Sequence, residues 1–413
     1  MTSLGAGLSR PDHVPAAACY DFDLYHDPGL LTEPHGRLAE ILRDAPAIFW
    51  TPRNGGHWVI TRYAQIHEAS RDTQTFSSVL STPAEMAMMR AHLPEQITHF
   101  PLPTPINLDP PSHTIYRSPL QKFFSPKAMM ARQDDVRRLA NGLIDKVIDQ
   151  GHCDFIADIA EPLPVQVFLK LMGLPLDRLS EFRALVHAFM APPTGPFDAV
   201  LRMRMIADAM KGEFEARRTH PCDDLISQLW ATEIDGKPMT MELMEDFGVL
   251  LFIAGLDTVI NAMGYGIRHM AQDARLQNEL RAKPALIAKA TEELLRRYSF
   301  VIPVRRVARD TQFGGVFLRE GDRVQLLMPA ADLDPEHFDQ PEQFSLDRDL
   351  NVHFAFGFGP HRCLGAHLAR IELQVVYEQM LSRLPPFRLD PDKPVQFHCG
   401  AIIAMDTLPL RWD

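Results

Sequence analysis

Residues Thr240 to Ala271 carry one continuous helical pattern, apolar nearly all round in its middle from Val249 to Ala254. A helix of that kind has no face left for water, so it must run through the centre of a body that covers it on every side. The uninterrupted apolar run is far too short to span a bilayer, so the covering has to be protein. A chain of 413 residues with a hydrophobic fraction of 46% has the material for it. Helical spacing over Pro126 to Gln150, Pro162 to Met172, Leu176 to Met190, Phe197 to Arg218, Pro284 to Tyr298 and Ala366 to Leu384 supplies the layers. Ala191 to Pro196 separates two of these helices, and the prolines of Ser81 to Asp109, among them Pro94, Pro101, Pro103 and Pro105, make that stretch a long irregular segment.

Strand patterns are fewer. Ala47 to Trp50 and His57 to Thr61 flank Asn54-Gly55-Gly56 as a hairpin; Arg306 to Leu327 alternates, and Val395 to Trp412 ends the chain in short strands. Ile234 to Lys237 reads as a turn and Asp334 to Asn351 as irregular. The expectation is a mainly α chain with a smaller β portion (α+β), one domain over 1–413, β-rich near 46–61, 306–327 and 395–412. Met1 to Pro15 holds Gly, Ser and Pro without an apolar core, so residues 1–15 read as a short disordered terminus, neither signal peptide nor anchor.

Forty-two basic against 53 acidic residues give a net charge of −11, which removes the electrostatic case for nucleic acid. Cys19, Cys153, Cys222, Cys363 and Cys399 are odd in number and scattered, a cytosolic pattern rather than a disulfide framework. A soluble, cytoplasmic protein with no membrane segment is expected.

Phe356-Gly357-Phe358-Gly359-Pro360-His361-Arg362-Cys363-Leu364-Gly365 sets one cysteine in a glycine-rich loop ahead of a helix. Glycines let backbone lie close against a flat cofactor, and a helix N-terminus stabilises a thiolate through its free N–H groups. A zinc site of His361, Cys363 and His367 is the weaker reading, because no second ligand cluster accompanies it. Within the central helix, Ala254-Gly255-Leu256-Asp257-Thr258 places an acid and an alcohol side by side where both are costly unless used or paired. The plain alternative is a kink with Thr258 bonded back to a carbonyl.

The cysteine loop, with its F-x-x-G-x-x-x-C-x-G form, resembles the haem-thiolate signature of the cytochrome P-450 family. Leu250 to Asn261, Glu292 to Ser299, Cys363 to Arg370 and Leu408 to Asp413 are similar to its bacterial camphor-hydroxylase group. The resemblance implies a triangular-prism fold with the long helix over haem b (iron protoporphyrin IX), and a monooxygenase in which Cys363 is the iron ligand. Phe356, Gly357, Gly365 and Gly255 would then border the cofactor. Asp257 and Thr258 would manage protons. His113, Arg117, Arg305 and His361 would meet the propionates; Arg306 is the alternative to Arg305, since one residue of register reverses a strand side chain. Glu293, Arg296 and Arg348 would form a structural ion-pair network.

Pocket walls implied by the same register are Phe100, Leu250, Ile253, Ala254, Val301, Ala401 and Ile402, any of which serves equally as core. Two departures bear on substrate. The loop before Asp109-Pro110-Pro111 has Thr98-His99-Phe100 and no tyrosine, and Pro303 stands where the camphor enzyme has an acid. A compact terpenoid or norisoprenoid, with His99 as a polar contact, is the expected substrate class. No flavin or iron–sulfur motif is present, so electrons must come from a separate protein; the resemblance implies a [2Fe–2S] ferredoxin with an NAD(P)H-dependent reductase, for which Arg117, Lys122, Arg362 and Arg370 are the candidate docking patch. Dioxygen is the co-substrate. A peroxide-using relative and a non-catalytic haem sensor are the alternatives.

Overall fold

The computed structural model describes residues 8–93, 97, 99–190, 198–349 and 352–413. Pro94, Thr98, the Ala191 to Pro196 break, Phe197 and Asn351 lie outside the described residues. Helices dominate, and three buried apolar clusters organise them.

The central helix is two helices, Met241–Gly255 and Asp257–Gln272, with Leu256 between them at φ −101° and ψ −67°. Thr240 caps the first through its side chain, which accepts from Leu243 N at 3.3 Å. By length and composition the pair is apolar enough to cross a membrane, but 67% of its most apolar window is buried inside the protein. The first half packs in a cluster with Phe168, Phe182, Met210 and Phe214, and the second in one with Leu373, Tyr377 and Met380. The helix Ala366–Arg383 crosses the second half closely. A Cβ on Gly266 would fall 2.0 Å from the Tyr377 hydroxyl, which donates to Ala262 O at 3.0 Å. Only glycine allows that approach.

The largest sheet has five strands in the order Ile48–Thr51, His57–Ile60, Arg323–Leu326, Val304–Val307 and Phe76–Ser77. Its second and third strands are parallel; the other pairs are antiparallel. A separate hairpin joins Gln396–Cys399 to Ile403–Thr407.

Two expectations need correction. Residues 8–15 are not loose: Val14 is fully buried, and Leu8 N donates to Pro52 O at 2.9 Å. A Gly- and Pro-rich composition says nothing of a tertiary contact that one apolar side chain can make. Ser81 to Asp109 is not wholly irregular either. Pro83–Ala91 is a helix, with Pro83 in its first turn, where no N–H is needed, and Thr82 and Glu85 forming a reciprocal cap.

Candidate active site

Cys363 sits in a loop that two positive-φ glycines shape, Gly357 at 67° and Gly359 at 72°. A Cβ on Gly359 would lie 2.3 Å from Ser70 O, so the loop packs against the Ser70 turn only as glycine. The Cys363 N–H donates to Phe356 O at 2.7 Å, and Gly365 precedes the helix Ala366–Arg383. The thiol is accessible from a recess rather than from the outer surface. Desolvation there pushes its pKa up, while the Gly365 backbone N–H and the guanidinium groups of Arg117, Arg370 and Arg362 pull it down. Cys399 and Cys153 lack such support: burial beside Asp27 and Asp406 pushes the Cys399 thiol up to about 12, and burial beside Asp158 and Asp154 pushes Cys153 up as well.

A chain of bonds fixes the loop from below. Arg296 and Glu293 are fully buried and doubly bonded at 2.8 and 2.9 Å; Arg348 Nε joins Glu293 at 3.1 Å. Arg296 also donates to Asp332 O at 2.7 Å, the Asp332 carboxylate accepts from Phe354 N at 2.8 Å, and Phe354 O accepts from Gly357 N at 2.7 Å.

Four basic groups gather beside this loop. The His113 and His361 rings are 4.3 Å apart, and Ser78 Oγ lies 3.0 Å from His361 Nε2. Both ring nitrogens of His113 are buried without a hydrogen-bond partner. Arg117 turns inward and donates to Arg362 O. Arg305 is 8% exposed, has its Nη1 on Val304 O at 2.9 Å and makes no salt bridge among the described residues. Desolvation and mutual repulsion push His361 down to about 3 and His113 to about 4. In the strand Val304–Val307, Arg305 faces in, while Arg306 faces a surface cleft beside Ser81 and Glu320. That decides the register left open by sequence.

The first central helix opens at its end. Ala254 and Gly255 are exposed in the midst of buried neighbours, and nothing lies within 4 Å of a Cβ built on Gly255. Thr258 Oγ1 donates to Ala254 O at 2.9 Å, the back-bonded arrangement, which leaves the hydroxyl oxygen only an acceptor role toward the opening. Asp257 is held by Asn261, whose Nδ2 donates to Asp257 O at 2.9 Å and Oδ1 at 3.1 Å. Desolvation pushes Asp257 up to about 6 against the pull of His398 and Asn261. Asn261 went unread in the sequence, although its four-residue spacing from Asp257 on a helix was a visible signal.

Val301 and Ile402 pair across a β-bridge, and Ala401 O accepts from Ile302 N at 2.9 Å, which brings these three together. Val301, Ala401, Ala254 and Ile253 retain accessible surface; Leu250 is buried core, and Phe100 is buried with Arg90 5.8 Å from its ring centroid. His99 has a different partner from the one expected. Its Nε2 lies 2.9 Å from Asp246 Oδ1 on the first central helix, which also accepts from Leu102 N at 3.0 Å. It latches the loop instead of offering its Nε2 to a ligand. The docking cations also divide: Lys122 and Arg362 are exposed, whereas Arg370 is bound to Glu292 at 2.6 and 2.8 Å and covers Phe356.

These donors fit a flat iron macrocycle bearing two carboxylates. The thiol would hold the metal, the unpartnered His113 nitrogens and the Arg305 guanidinium would suit the anions, and the open space at Gly255 would leave room for the ring.

Comparison with known proteins gives the same picture. The Cytochrome P450 family model matches residues 198–409. A probable cytochrome P450 127A1 of Sinorhizobium fredii is 35% identical over 412 residues, 97% of this chain and 96% of its own. A steroid C26-monooxygenase of Mycolicibacterium smegmatis is 33% identical over 345 residues, 81% and 82% of the two chains. Among solved structures, CYP101C1 superposes with a TM-score of 0.87 at 32% identity, covering 98% of this chain and 100% of its own; CYP101J2 gives 0.86 at 34%, with the same coverage. With the thiol loop, the split central helix and whole-chain relatives agreeing, the chain belongs to the cytochrome P450 family, whose members are haem b monooxygenases.

Proposed function

We propose that this monooxygenase hydroxylates a compact, mostly apolar molecule of the terpenoid or norisoprenoid class, with dioxygen and with electrons from a [2Fe–2S] ferredoxin and its NAD(P)H-dependent reductase. The observation that carries the reading is the opening at Ala254 and Gly255 beside Asp257 and Thr258, with small aliphatic walls from Val301 and Ala401. Cytoplasmic location goes with an NAD(P)H-linked donor and with five free cysteines.

Cys363 would hold the iron, and His113, Arg117, Arg305 and His361 the propionates. The bound haem would supply activation of dioxygen, with the thiolate favouring O–O cleavage. The chain's own contribution is to deliver protons in a dry site and to exclude water. Thr258 has committed its hydroxyl proton to Ala254 O, so it accepts a hydrogen bond from water or from a protonated oxygen above it. Asp257, raised to about 6, is protonated often enough near neutral pH to donate and is easily recharged.

Thr258→Ala is therefore expected to keep substrate binding and to divert reducing equivalents into hydrogen peroxide. Asp257→Asn should slow turnover by about 10²-fold, the lower range for a positioned acid. Measuring NADH consumed, peroxide formed and product formed together tests both; full coupling in Thr258→Ala removes that role. A protein that turned over with peroxide alone, at the rate seen with ferredoxin, would be the peroxide-using kind.

Substrate class is tested by Soret titration with a cyclic norisoprenoid ketone, its deoxygenated analogue and a long-chain fatty acid. Tight binding of the fatty acid alone would overturn the class. Because His99 Nε2 is bound to Asp246, His99→Phe should weaken ketone and hydrocarbon together, by at most roughly 1.5–3 kcal/mol for one lost hydrogen bond to a charged group, since Asp246 keeps Leu102 N, and leave their difference unchanged. Asp246 raises the His99 pKa above its ordinary value, so the latch is complete below that ordinary value and is lost as pH rises through the raised one.

A further inference from the structure

The C-terminal hairpin brings two titratable side chains to the start of the second central helix. His398 lies on Gln396–Cys399, and Asp406 on Ile403–Thr407. The register pairs Gln396 with Thr407 but Phe397 with Met405, so Asp406 is the extra residue of a bulge. A bulge re-aims a side chain. Here it brings Asp406 Oδ1 to 2.6 Å from His398 Nδ1.

The hairpin is fastened to the helix by two side chains one turn apart. Asn261 Oδ1 accepts from Met405 N at 2.7 Å, and the Tyr265 hydroxyl donates to Ile403 O at 3.0 Å. The same Asn261 holds the Asp257 carboxylate through its Nδ2. One amide thus fixes Asp257 on one side and the residue preceding Asp406 on the other. The charged groups acting on Asp257 are His398 and Asp406; those acting on His398 are Asp406 and Asp257. Arg268, three turns further along the helix, is turned away, over the Phe397 ring and onto Glu33. The His398 and Asp406 side chains remain 41% and 44% exposed, so the pair meets bulk water on a hairpin that Asn261 ties to Asp257.

A partly exposed ion pair of this kind contributes little to stability. Its placement against Asp257 points to another use. We propose that His398, oriented by Asp406, is the acid at the surface that returns protons to Asp257 during turnover. This rests on the reading of Asp257 as the proton source. The step moves one proton and no electrons. Nδ1–H stays on Asp406, the Nε2 proton of the imidazolium passes to the Asp257 carboxylate, and bulk water or buffer restores Nε2–H. Asp257 is raised to about 6, toward the imidazole range, while Asp406 and Asp257 hold His398 above its ordinary value. A carboxylate raised toward the imidazole range takes a proton from an imidazolium at a smaller driving-force penalty than an ordinary carboxylate would. His398 is a positioning and relay residue; it touches neither substrate nor cofactor in this arrangement.

Two measurements on the haem-loaded enzyme test it. The first is the titration of the His398 ring by NMR in the diamagnetic ferrous carbon-monoxide form. Its pKa should lie above the ordinary imidazole value and fall in both Asp257→Asn and Asp406→Asn. A His398 pKa indifferent to Asp257 would overturn the relay. The second is product formation in His398→Ala and His398→Gln, with the solvent deuterium isotope effect and the dependence on phosphate buffer concentration. Turnover should fall about tenfold, less than for a positioned acid in full because water can take over. The isotope effect should grow, and added phosphate should restore the rate. Haem content and the reduced carbon-monoxide spectrum of both variants check that the hairpin is intact. If Asp257→Asn changes the isotope effect while both His398 variants leave it and the buffer dependence unchanged, the relay fails and the role of Asp257 stands. If Asp257→Asn also leaves it unchanged, the underlying reading fails first.

Discussion

Alanine at position 363 is expected to abolish product formation and to remove the band of a thiolate-ligated haem from the reduced carbon-monoxide spectrum. The other four cysteines should be replaceable one at a time without loss of that band. The physical ground is the difference in surroundings. Cys363 has a backbone N–H and three guanidinium groups to stabilise a negative sulfur, while Cys399 is pushed up to about 12 by burial and two nearby carboxylates. Its thiol donates weakly to Leu30 O, 3.9 Å away, and belongs to the apolar core. Cys19 and Cys222 donate just as weakly to backbone carbonyls, Pro15 O and His220 O. Loss of the band in Cys399→Ser together with its survival in Cys363→Ala would reverse the assignment.

Glu293→Ala should destabilise the protein by about 3–5 kcal/mol, the usual result of stripping one partner from a fully buried ion pair. Arg296 would be left with only carbonyl acceptors, Asp332 O at 2.7 Å and Pro341 O at 2.9 Å, and Ser345 N would lose its acceptor at 3.1 Å. Glu293 and Arg296 both have no exposed side-chain surface, so water cannot substitute. Replacing both, as Glu293→Met with Arg296→Leu, should recover part of the loss, because Arg296 no longer leaves a buried orphan charge, while Arg348 loses its carboxylate but keeps the Asp339, Gln340 and Gln343 carbonyls. Urea unfolding of the three proteins measures this. A single variant within 1 kcal/mol of the parent would show that the pair contributes little. Haem retention should fall with the single variant, since the bonds from Arg296 run through Asp332 and Phe354 to Gly357.

What the sequence carried well was composition and short-range pattern. An apolar helix with no polar face had to be central, and glycines around one cysteine had to mark a tight loop. What it hid were features set by distant partners. The 3.6-residue pattern runs unbroken across Leu256, so the division there was legible only through Gly255 and the acid–alcohol pair, as the alternative of a kink with Thr258 bonded back to a carbonyl, a bond the structure contains. Arg305 and Arg306 could not be told apart until strand pairing, Val324 with Arg305 and Arg323 with Arg306, fixed the faces. His99 looked free because Asp246 is 147 positions away in the chain. The bulge that aims Asp406 is a mismatch of two strands and has no signature in either strand alone.

The division at Leu256 has a consequence for how such a molecule can change over generations. Leu250, Leu251, Phe252 and Leu256 belong to one apolar cluster, and Val259, Ile260 and Met263 to another, with Leu368 and Ile371 touching both. Asp257 and Thr258 stand on the seam. Of the residues at the opening, Ile253 packs with the first cluster and Val301 and Ile402 with the second. A substitution there is taken up by its own body, and only one at the seam, or at Leu368 or Ile371, is felt by both.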